Sequence, residues 1–202
     1  MKVVKLGGSL MRVSRTLIRK ITDYSYEKGG QILIVPGGSV FADMVRKTDV
    51  SQEAAHWMAI LAMEQYGHYL ADGTEARMVD NLKFEGNGTF ILLPYDILKK
   101  NDELPHSWDV TSDTIAAWVA LKVGATIFIK VTDVDGVYFD GELKPEIYAS
   151  ELAGKETCVD RELPNFLMKN KMTCEIVNGN CPGRVIQAFD SRVVGTVIKG
   201  YI

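Results

Sequence analysis

The segment KLGGS near the start of this sequence places a lysine, two glycines and a serine directly after a short apolar run. Because Gly7 and Gly8 have no Cβ atom, their backbone N–H groups can approach an anion closely. Ser9 can cap the next helix while its hydroxyl reaches the same anion, and Lys5 would add a full positive charge. This pattern is typical of a phosphate site, although an ordinary strand-to-helix turn explains the segment equally well.

A second glycine pair, Gly37 and Gly38 in PGGS, again follows an apolar run and precedes a helical stretch. The carboxyl ends of parallel strands meet at one edge of a sheet, where open α/β folds bind ligands. Two glycine-rich turns at that edge predict sites for a phosphate donor and a phosphate acceptor. The sequence contains neither the G-x-x-x-x-G-K-S/T pattern nor the G-x-G-x-x-G pattern of other nucleotide-binding loops.

Four polar side chains crowd the start of a strongly helical segment, WDVTSDTIAAWVA. They are Asp109, Thr111, Ser112 and Asp113. Serine and aspartate are common helix caps, and capping alone explains Ser112 or Asp113. A carboxylate at this helix start can also hold one or more lysine ammonium groups in place. The density of polar groups favours this second interpretation.

A further polar segment, IKVTDVDGVYFDG, runs from a strand into a turn. Asp135 and Gly136 have the composition of a hairpin turn, which accounts for these two residues. A turn does not account for Lys130, Thr132 and Asp133, which stand at the end of the strand. Their position predicts contact with a nucleotide.

Short β-rich runs alternate with helical stretches along the whole sequence. The predicted strands are residues 3–6, 32–35, 90–93, 126–131, 175–177 and 196–198. The predicted helices are residues 15–28, 40–47, 51–70, 94–100, 112–123 and 160–170. This alternation predicts an α/β fold, a three-layer αβα sandwich with a mainly parallel central sheet, in a single domain over 1–202. Surface excursions are expected at 80–89 and at 139–157, the latter as a hairpin or lid.

The composition excludes several classes of protein. With 47% hydrophobic and 24% charged residues, the chain is neither disordered nor fibrous. A net charge of −3 offers no basis for binding nucleic acid or an anionic membrane. Three cysteines without a C-x-x-C pair argue against a disulfide framework and a thiolate metal site. Because no apolar stretch has signal-peptide or membrane-spanning character, we expect a cytoplasmic protein.

Taken in order, these segments resemble the amino acid kinase superfamily over nearly the whole chain. KLGGS resembles its first phosphate loop, PGGS its second, TSDTIAA its acidic helix start, TDVDGVY its nucleotide segment and VVGTVI its closing strand. The resemblance implies a kinase that uses ATP and Mg²⁺, in which Lys5 stabilises the transferred phosphoryl group and Asp113 orients Lys5. It indicates no metal ligands. The residues that it assigns to ATP are Gly7, Gly8, Ser9, Lys130, Thr132, Asp133, Gly136, Val137 and Tyr138.

The segments VPGGSVFADMVR, AHWMAILAMEQYG and PHSWDVTSD resemble a short archaeal branch of this family. Its members phosphorylate [5-(aminomethyl)furan-3-yl]methyl phosphate to the diphosphate in methanofuran biosynthesis, and a length of 202 residues suits that branch. The residues that this resemblance assigns to the acceptor are Gly37, Gly38, Asp43, Arg46, Asp109 and Ser112.

The acceptor of that branch carries a cationic aminomethyl group, which needs a carboxylate partner. Asp43 and Asp109 are the candidates for this role, while Trp108 or His106 could line the furan ring. A tryptophan beside a helix is commonly a core residue, and Arg46 is equally well explained as a solvated helix charge. A purely structural role therefore remains an alternative for Trp108 and for Arg46.

Larger members of the family carry a second lysine in a G-G-M-x-x-K motif, which this sequence lacks. Lys130, Lys169 and Lys171 are candidates to replace it. The helix at 51–70 is apolar nearly all round, and family members commonly dimerise through this helix, so we expect a homodimer. Two alternative functions remain: a kinase of the same fold for another small phosphate or carboxylate, such as isopentenyl phosphate, and a non-catalytic nucleotide-binding or storage protein.

Overall fold

An eight-stranded sheet forms the centre of the structure. The computed structural model describes residues 1–201. The strands are β1 Lys2–Leu6, β2 Gln31–Pro36, β3 Arg77–Val79, β4 Gly88–Leu92, β5 Ile127–Thr132, β6 Tyr138–Phe139, β7 Glu142–Leu143, β8 Glu146–Tyr148, β9 Thr173–Asn178 and β10 Gly195–Lys199. The helices are α1 Met11–Lys28, α2 Ser39–Arg46, α3 Gln52–Ala71, α4 Tyr95–Asn101, α5 Ser112–Lys122, α6 Ala149–Leu152, α7 Leu163–Asn170 and α8 Pro182–Phe189.

The strand order in the sheet is β3-β4-β2-β1-β5-β9-β10-β8. The first six strands are parallel to one another, whereas β10 runs antiparallel to β9 and parallel to β8. Strands β6 and β7 form a separate hairpin. Because β1 lies between β2 and β5, the segments that follow these three strands emerge side by side at one edge of the sheet.

Apolar side chains cover both faces of the sheet. Along β1, Val3 belongs to the core on one face, whereas Val4 and Leu6 belong to the core on the other, as the alternation of a strand requires. The first core is completed by α4, α5 and α7, and the second by α1, α8 and the end of α3. This arrangement confirms the predicted three-layer sandwich with a mainly parallel sheet.

Every predicted strand and helix is present, with shifted ends. Helix α1 begins four residues earlier than the predicted start at 15, and α7 begins at Leu163 instead of residue 160. The sequence patterns missed β3, which is only three residues long, and α8, whose first residues Pro182 and Gly183 have the composition of a turn. No helix within residues 1–201 has the length and apolar character that crossing a membrane requires.

A hairpin or a lid was predicted for residues 139–157, and the structure has a hairpin there, formed by β6 and β7. Its turn is Asp140-Gly141, both with positive φ angles, and not the Asp135-Gly136 pair that has the same composition. Gly136 instead lies in a bend with φ 156°, where an added Cβ would come within 2.2 Å of Thr196 Oγ1. Two Asp-Gly pairs stand five residues apart, and composition does not distinguish them.

The two glycine turns touch each other. We call residues 7–9 loop 1 and residues 37–39 loop 2. A Cβ atom on Gly8 would lie 2.4 Å from the backbone N and Cα of Ser39, and a Cβ on Gly37 would lie 2.9 Å from the Gly8 nitrogen. Ser39 itself has a left-handed backbone with φ 49°. The absence of side chains at Gly8 and Gly37 therefore allows the backbones of the two loops to pack together.

Replacing Gly8 by alanine should separate the loops and destabilise the protein. Overpacking of this kind costs about 1–3 kcal/mol of unfolding free energy. Gly183 in α8 is the matched control, because a Cβ there meets no atom within 4 Å and alanine favours a helix. Urea denaturation should show a clear loss for Gly8→Ala and no loss for Gly183→Ala. Equal stability of the two variants would contradict the packing interpretation.

Candidate active site

Two lysines and one aspartate meet between β1, β5 and α5. Lys5 and Lys130 are paired residues of the parallel strands β1 and β5, so their side chains point to the same face of the sheet. Helix α5 packs against that face and begins with Ser112 and Asp113. Lys5 Nζ lies 2.9 Å from Asp113 Oδ1, while Lys130 Nζ donates a hydrogen bond to Asp113 Oδ2. All three side chains are buried.

Asp113 affects the pKa values of the two lysines unequally. Burial would raise the pKa of Asp113, but the charges of Lys130 and Lys5 outweigh it and hold that pKa well below its usual range. Burial lowers the pKa of Lys5, and the charge of Lys130 adds to this effect against the attraction of Asp113. Burial also disfavours the charged form of Lys130, yet Asp113 prevails and raises the pKa of that lysine. Lys130 is therefore the more firmly held cation.

The surroundings of the two lysines also hold Lys130 more firmly than Lys5. Lys130 Nζ donates a second hydrogen bond, of 2.5 Å, to the carbonyl oxygen of Cys158, and its side chain is 4% exposed. Lys5 has Asp113 as its ion-pair partner and lines an open cleft beside the cluster. The geometry leaves Lys5 free to contact a ligand and keeps Lys130 inside the protein.

Asp160, which the sequence analysis did not single out, fixes the start of α5. Its carboxylate accepts hydrogen bonds of 2.6–2.9 Å from the backbone N–H and hydroxyl groups of Thr111 and Thr114, and one from Leu163 N. Its own N–H donates to Asp113 Oδ2 at 3.2 Å. The capping role considered for Ser112 and Asp113 therefore belongs to Asp160, and neither of them caps α5.

The cleft beside Lys5 has a volume of about 710 Å³. Loops 1 and 2 form one side of it, and α1, α2, α3 and the segment before α5 form the remainder. Five residues that were predicted to bind the acceptor line this cleft: Gly37, Gly38, Asp43, Arg46 and Ser112. Asp109, the sixth, does not line it. The carboxylate of Asp109 is exposed and lies 3.9 Å from Arg161 Nη1.

Aromatic side chains shape the wall of the cleft. The guanidinium of Arg46 lies over the ring of Trp108, 4.4 Å from its centre, so Arg46 is not simply a solvated helix charge. His56 lines the cleft, while His106 lies behind it and stacks on the His56 ring at 4.3 Å. Burial, with the nearby charge of His106, lowers the pKa of His56 to about 4, and the cleft therefore contains a neutral imidazole at pH 7.

In each loop, the first glycine uses its N–H group to attach the loop to a neighbouring strand. Gly7 N donates to Val131 O and Gly37 N donates to Leu6 O, both at 2.8 Å. Within residues 1–201, the N–H groups of Gly8 and Gly38 have no backbone acceptor. The second glycine of each pair therefore presents a donor that an anion can use.

Of the residues assigned to the nucleotide, Gly8 and Ser9 of loop 1 line the cleft, whereas Lys130 and the segment from Thr132 to Tyr138 do not. Ser9 Oγ connects the two regions by donating to Asp133 Oδ1 at 2.9 Å, and Thr132 Oγ1 donates to the same oxygen. Tyr138 is half exposed. Val137 is buried, its N–H donates to Thr196 Oγ1, and its carbonyl oxygen accepts a hydrogen bond from Lys144 N.

Possible metal ligands are sparse at this site. Across residues 1–201, no three histidine, cysteine, aspartate or glutamate side chains converge as a metal ion would require. Asp133 is the carboxylate that stands beside loop 1 at the carboxyl edge of the sheet.

Comparisons with known proteins agree with this geometry. The model of the amino acid kinase family matches residues 1–187. A [5-(aminomethyl)furan-3-yl]methyl phosphate kinase from Methanocaldococcus jannaschii is 34% identical, over 95% of this chain and 94% of that relative. A uridylate kinase from Thermofilum pendens is 23% identical, over 98% and 97% of the two chains.

A solved structure shares the fold. The crystal structure of uridylate kinase from Archaeoglobus fulgidus aligns with a TM-score of 0.71 at 20% identity, over 98% of this chain and 100% of that one. The family match spans most of the sequence. The chain belongs to the amino acid kinase family.

Proposed function

We propose that this protein transfers the γ-phosphoryl group of ATP to a small phosphomonoester, [5-(aminomethyl)furan-3-yl]methyl phosphate, and forms its diphosphate. The family and its kinase-named relatives support a phosphotransferase. The observation that carries the proposal is the position of Lys5, at the junction of two glycine loops and open to a cleft with cationic groups and one carboxylate. The 34% identical relative is named for this acceptor.

The donor side of the proposed site is loop 1. Phosphoryl transfer depends mainly on positioning and on stabilising charge on the moving group, which a backbone loop and a lysine provide. Gly8 N–H is available for the ATP phosphates, whereas Gly7 supports the loop through its bond to Val131. Asp133 is tied to loop 1 through Ser9. We propose that the nucleotide side is formed by residues close to Asp133 in the sequence: Thr132, Gly136, Val137 and Tyr138.

Lys5 is the proposed catalytic residue. An oxygen of the acceptor phosphate attacks the γ-phosphorus, the bond from that phosphorus to the β–γ bridging oxygen breaks, and ADP leaves. Lys5 would stabilise the charge on the oxygens of the transferred group, and Asp113 would orient Lys5. The acceptor oxygen is already ionised near pH 7. The reaction therefore needs no general base, and Asp113 is held as an anion by its two lysines.

The contacts of Lys130 support a positioning role in place of direct phosphate binding. Its ammonium group is occupied by Asp113 and Cys158 O, away from the cleft. It would hold the Asp113 carboxylate in place. Because Asp113 then interacts with two ammonium groups, its attraction for Lys5 would be weaker, and Lys5 could move toward a phosphate. Lys169 is exposed on α7, and Lys171 lines a separate groove near Tyr148 and Lys199. Neither contacts the cluster.

The acceptor side is the cleft. Gly38 N–H and Arg46 would meet the phosphate of the acceptor, with Gly37 supporting loop 2 and Ser112 beside Asp113. Asp43 is the carboxylate that lines the cleft, and we propose that it pairs with the aminomethyl group. Trp108, stacked under Arg46, would face the furan ring.

We also propose that Mg²⁺ accompanies ATP, with the phosphate oxygens of ATP as its principal ligands, because polyphosphates require a counter-ion. We propose a cytoplasmic location, where ATP is available. A homodimer through α3 is supported by the exposed apolar side chain of Leu61 on that helix. Light scattering would measure the mass, and a monomer would contradict this part of the proposal.

Incubation with ATP, Mg²⁺ and the furan phosphate should give ADP and a diphosphate in equal amounts, detected by mass spectrometry. Isopentenyl phosphate, uridylate and acetylglutamate serve as competing acceptors. Preference for one of these would replace the proposed acceptor and keep the reaction class. Absence of acceptor-dependent ADP release over the whole panel would instead favour a binding protein.

Substitution of Lys5 by methionine should lower kcat by about 100- to 1000-fold, because one charged donor to the transition state is lost. Asp113 keeps Lys130 as a partner, so the variant should retain its fold, which circular dichroism would check. Lys169→Met is the matched control and should retain normal kcat. A near-normal kcat in Lys5→Met would remove Lys5 from the mechanism.

Substitution of Asp43 by asparagine should raise KM for the amine-bearing acceptor by about 10- to 100-fold, the value of a charged hydrogen bond. An analogue without the amine should be affected much less. Asp109→Asn is the matched control, because that carboxylate lies outside the cleft. Steady-state kinetics with both compounds would test this, and equal losses for the two compounds would contradict the amine contact.

A further inference from the structure

Arg12 is a cation of the cleft that the sequence motifs did not indicate. It lies in the first turn of α1, three residues after Ser9, and its exposed side chain lines the cleft. A single arginine on a polar helix face is normally a solubility feature, and no motif distinguishes it. The structure places this one on the cleft that Lys5 and both glycine loops also line.

Arg12 differs from the two arginines that follow it on the same face of α1. Arg12, Arg15 and Arg19 are spaced by three and four residues, which aligns them along one side of the helix. Arg15 donates to Tyr69 O and pairs with Asp72, each at 3.0 Å. Arg19 donates to the carbonyl oxygen of Gly73 at 3.0 Å.

The end of α3 therefore engages Arg15 and Arg19. Over the part of the chain that the structure describes, Arg12 has no acidic side chain within ion-pair distance. Its guanidinium group remains available to a ligand in the cleft.

The charges around the cleft favour a strongly anionic ligand. The cationic side chains are Lys5, Arg12 and Arg46, and Asp43 is the opposing carboxylate, while His56 is neutral at pH 7. A phosphomonoester carries nearly two negative charges at neutral pH, and a diphosphate carries more. The cleft thus suits a ligand that carries a doubly charged phosphate group.

We propose that Arg12 binds the phosphate of the acceptor and the diphosphate formed from it, and so selects phosphomonoesters over uncharged alcohols. This inference rests on the proposed kinase function. A guanidinium group can give two parallel hydrogen bonds to phosphate oxygens. The acceptor side is favoured because Arg12 shares the cleft with Asp43, Arg46 and Trp108, whereas only Gly8 and Ser9 of the residues assigned to ATP line it.

Steady-state kinetics of Arg12→Gln, with the furan phosphate and ATP varied in turn, tests the assignment. The KM of the phosphate acceptor should rise at least tenfold, while the KM of ATP stays within about twofold. Arg12→Lys should recover part of the loss, because charge returns without the two-pronged geometry. Arg19→Gln removes an equal charge from the same helix outside the cleft and should behave as the wild type.

A rise in the KM of ATP instead, or identical kinetics for Arg12→Gln and Arg19→Gln, would overturn the proposal. A second measurement separates it from the choice of acceptor. Calorimetry would titrate inorganic pyrophosphate into protein already saturated with ADP, so that the donor side is filled. Binding should weaken at least tenfold in Arg12→Gln and stay unchanged in Arg19→Gln.

If the wild-type protein does not phosphorylate the furan compound, the proposed acceptor fails, and the pyrophosphate titration still decides the role of Arg12. Equal binding by the two variants, or no binding by the wild type, would then overturn the inference.

Discussion

One carboxylate shared by two buried ammonium groups is the interaction on which this site depends. Removing three charges from water is costly unless each is paired and hydrogen-bonded, and one carboxylate cannot neutralise two cations. The cluster of Lys5, Asp113 and Lys130 therefore keeps a surplus of positive charge beside the cleft. Lys5, the lysine that lines the cleft, is the less firmly held of the two. The other lysine is fixed by Asp113 and the carbonyl of Cys158.

The rest of the fold keeps this cluster in place. Pairing of β1 with β5 sets the two lysines side by side, and the sheet beneath them is apolar on both faces. The start of α5 must be held against the cluster, and Asp160 does so from a position 46 residues after Thr114. Its five accepted hydrogen bonds join the start of α5 to the start of α7.

Much of this site could be predicted from local sequence, because it is built where strands end. KLGGS and PGGS identified both loops, and Asp113 followed from its place at a helix start. Lys130 was identified as well. Its role, however, depends on its burial and on its hydrogen bond to Cys158 O, and the spacing of residues in the sequence reveals neither. Asp160 stands three residues before Leu163, a spacing typical of a helix cap, yet its bonds to Thr111 and Thr114 arise only in the folded chain.

The direct contact between Gly8 and Ser39 sets a length scale for the reaction. The separation of the two loops is fixed by backbone atoms, because neither Gly8 nor Gly37 has a side chain. The walls of the cleft, by contrast, are made of replaceable side chains such as Asp43, Trp108 and Arg46. A scaffold of this kind can change the molecule that receives the phosphoryl group while the distance that the group travels stays the same.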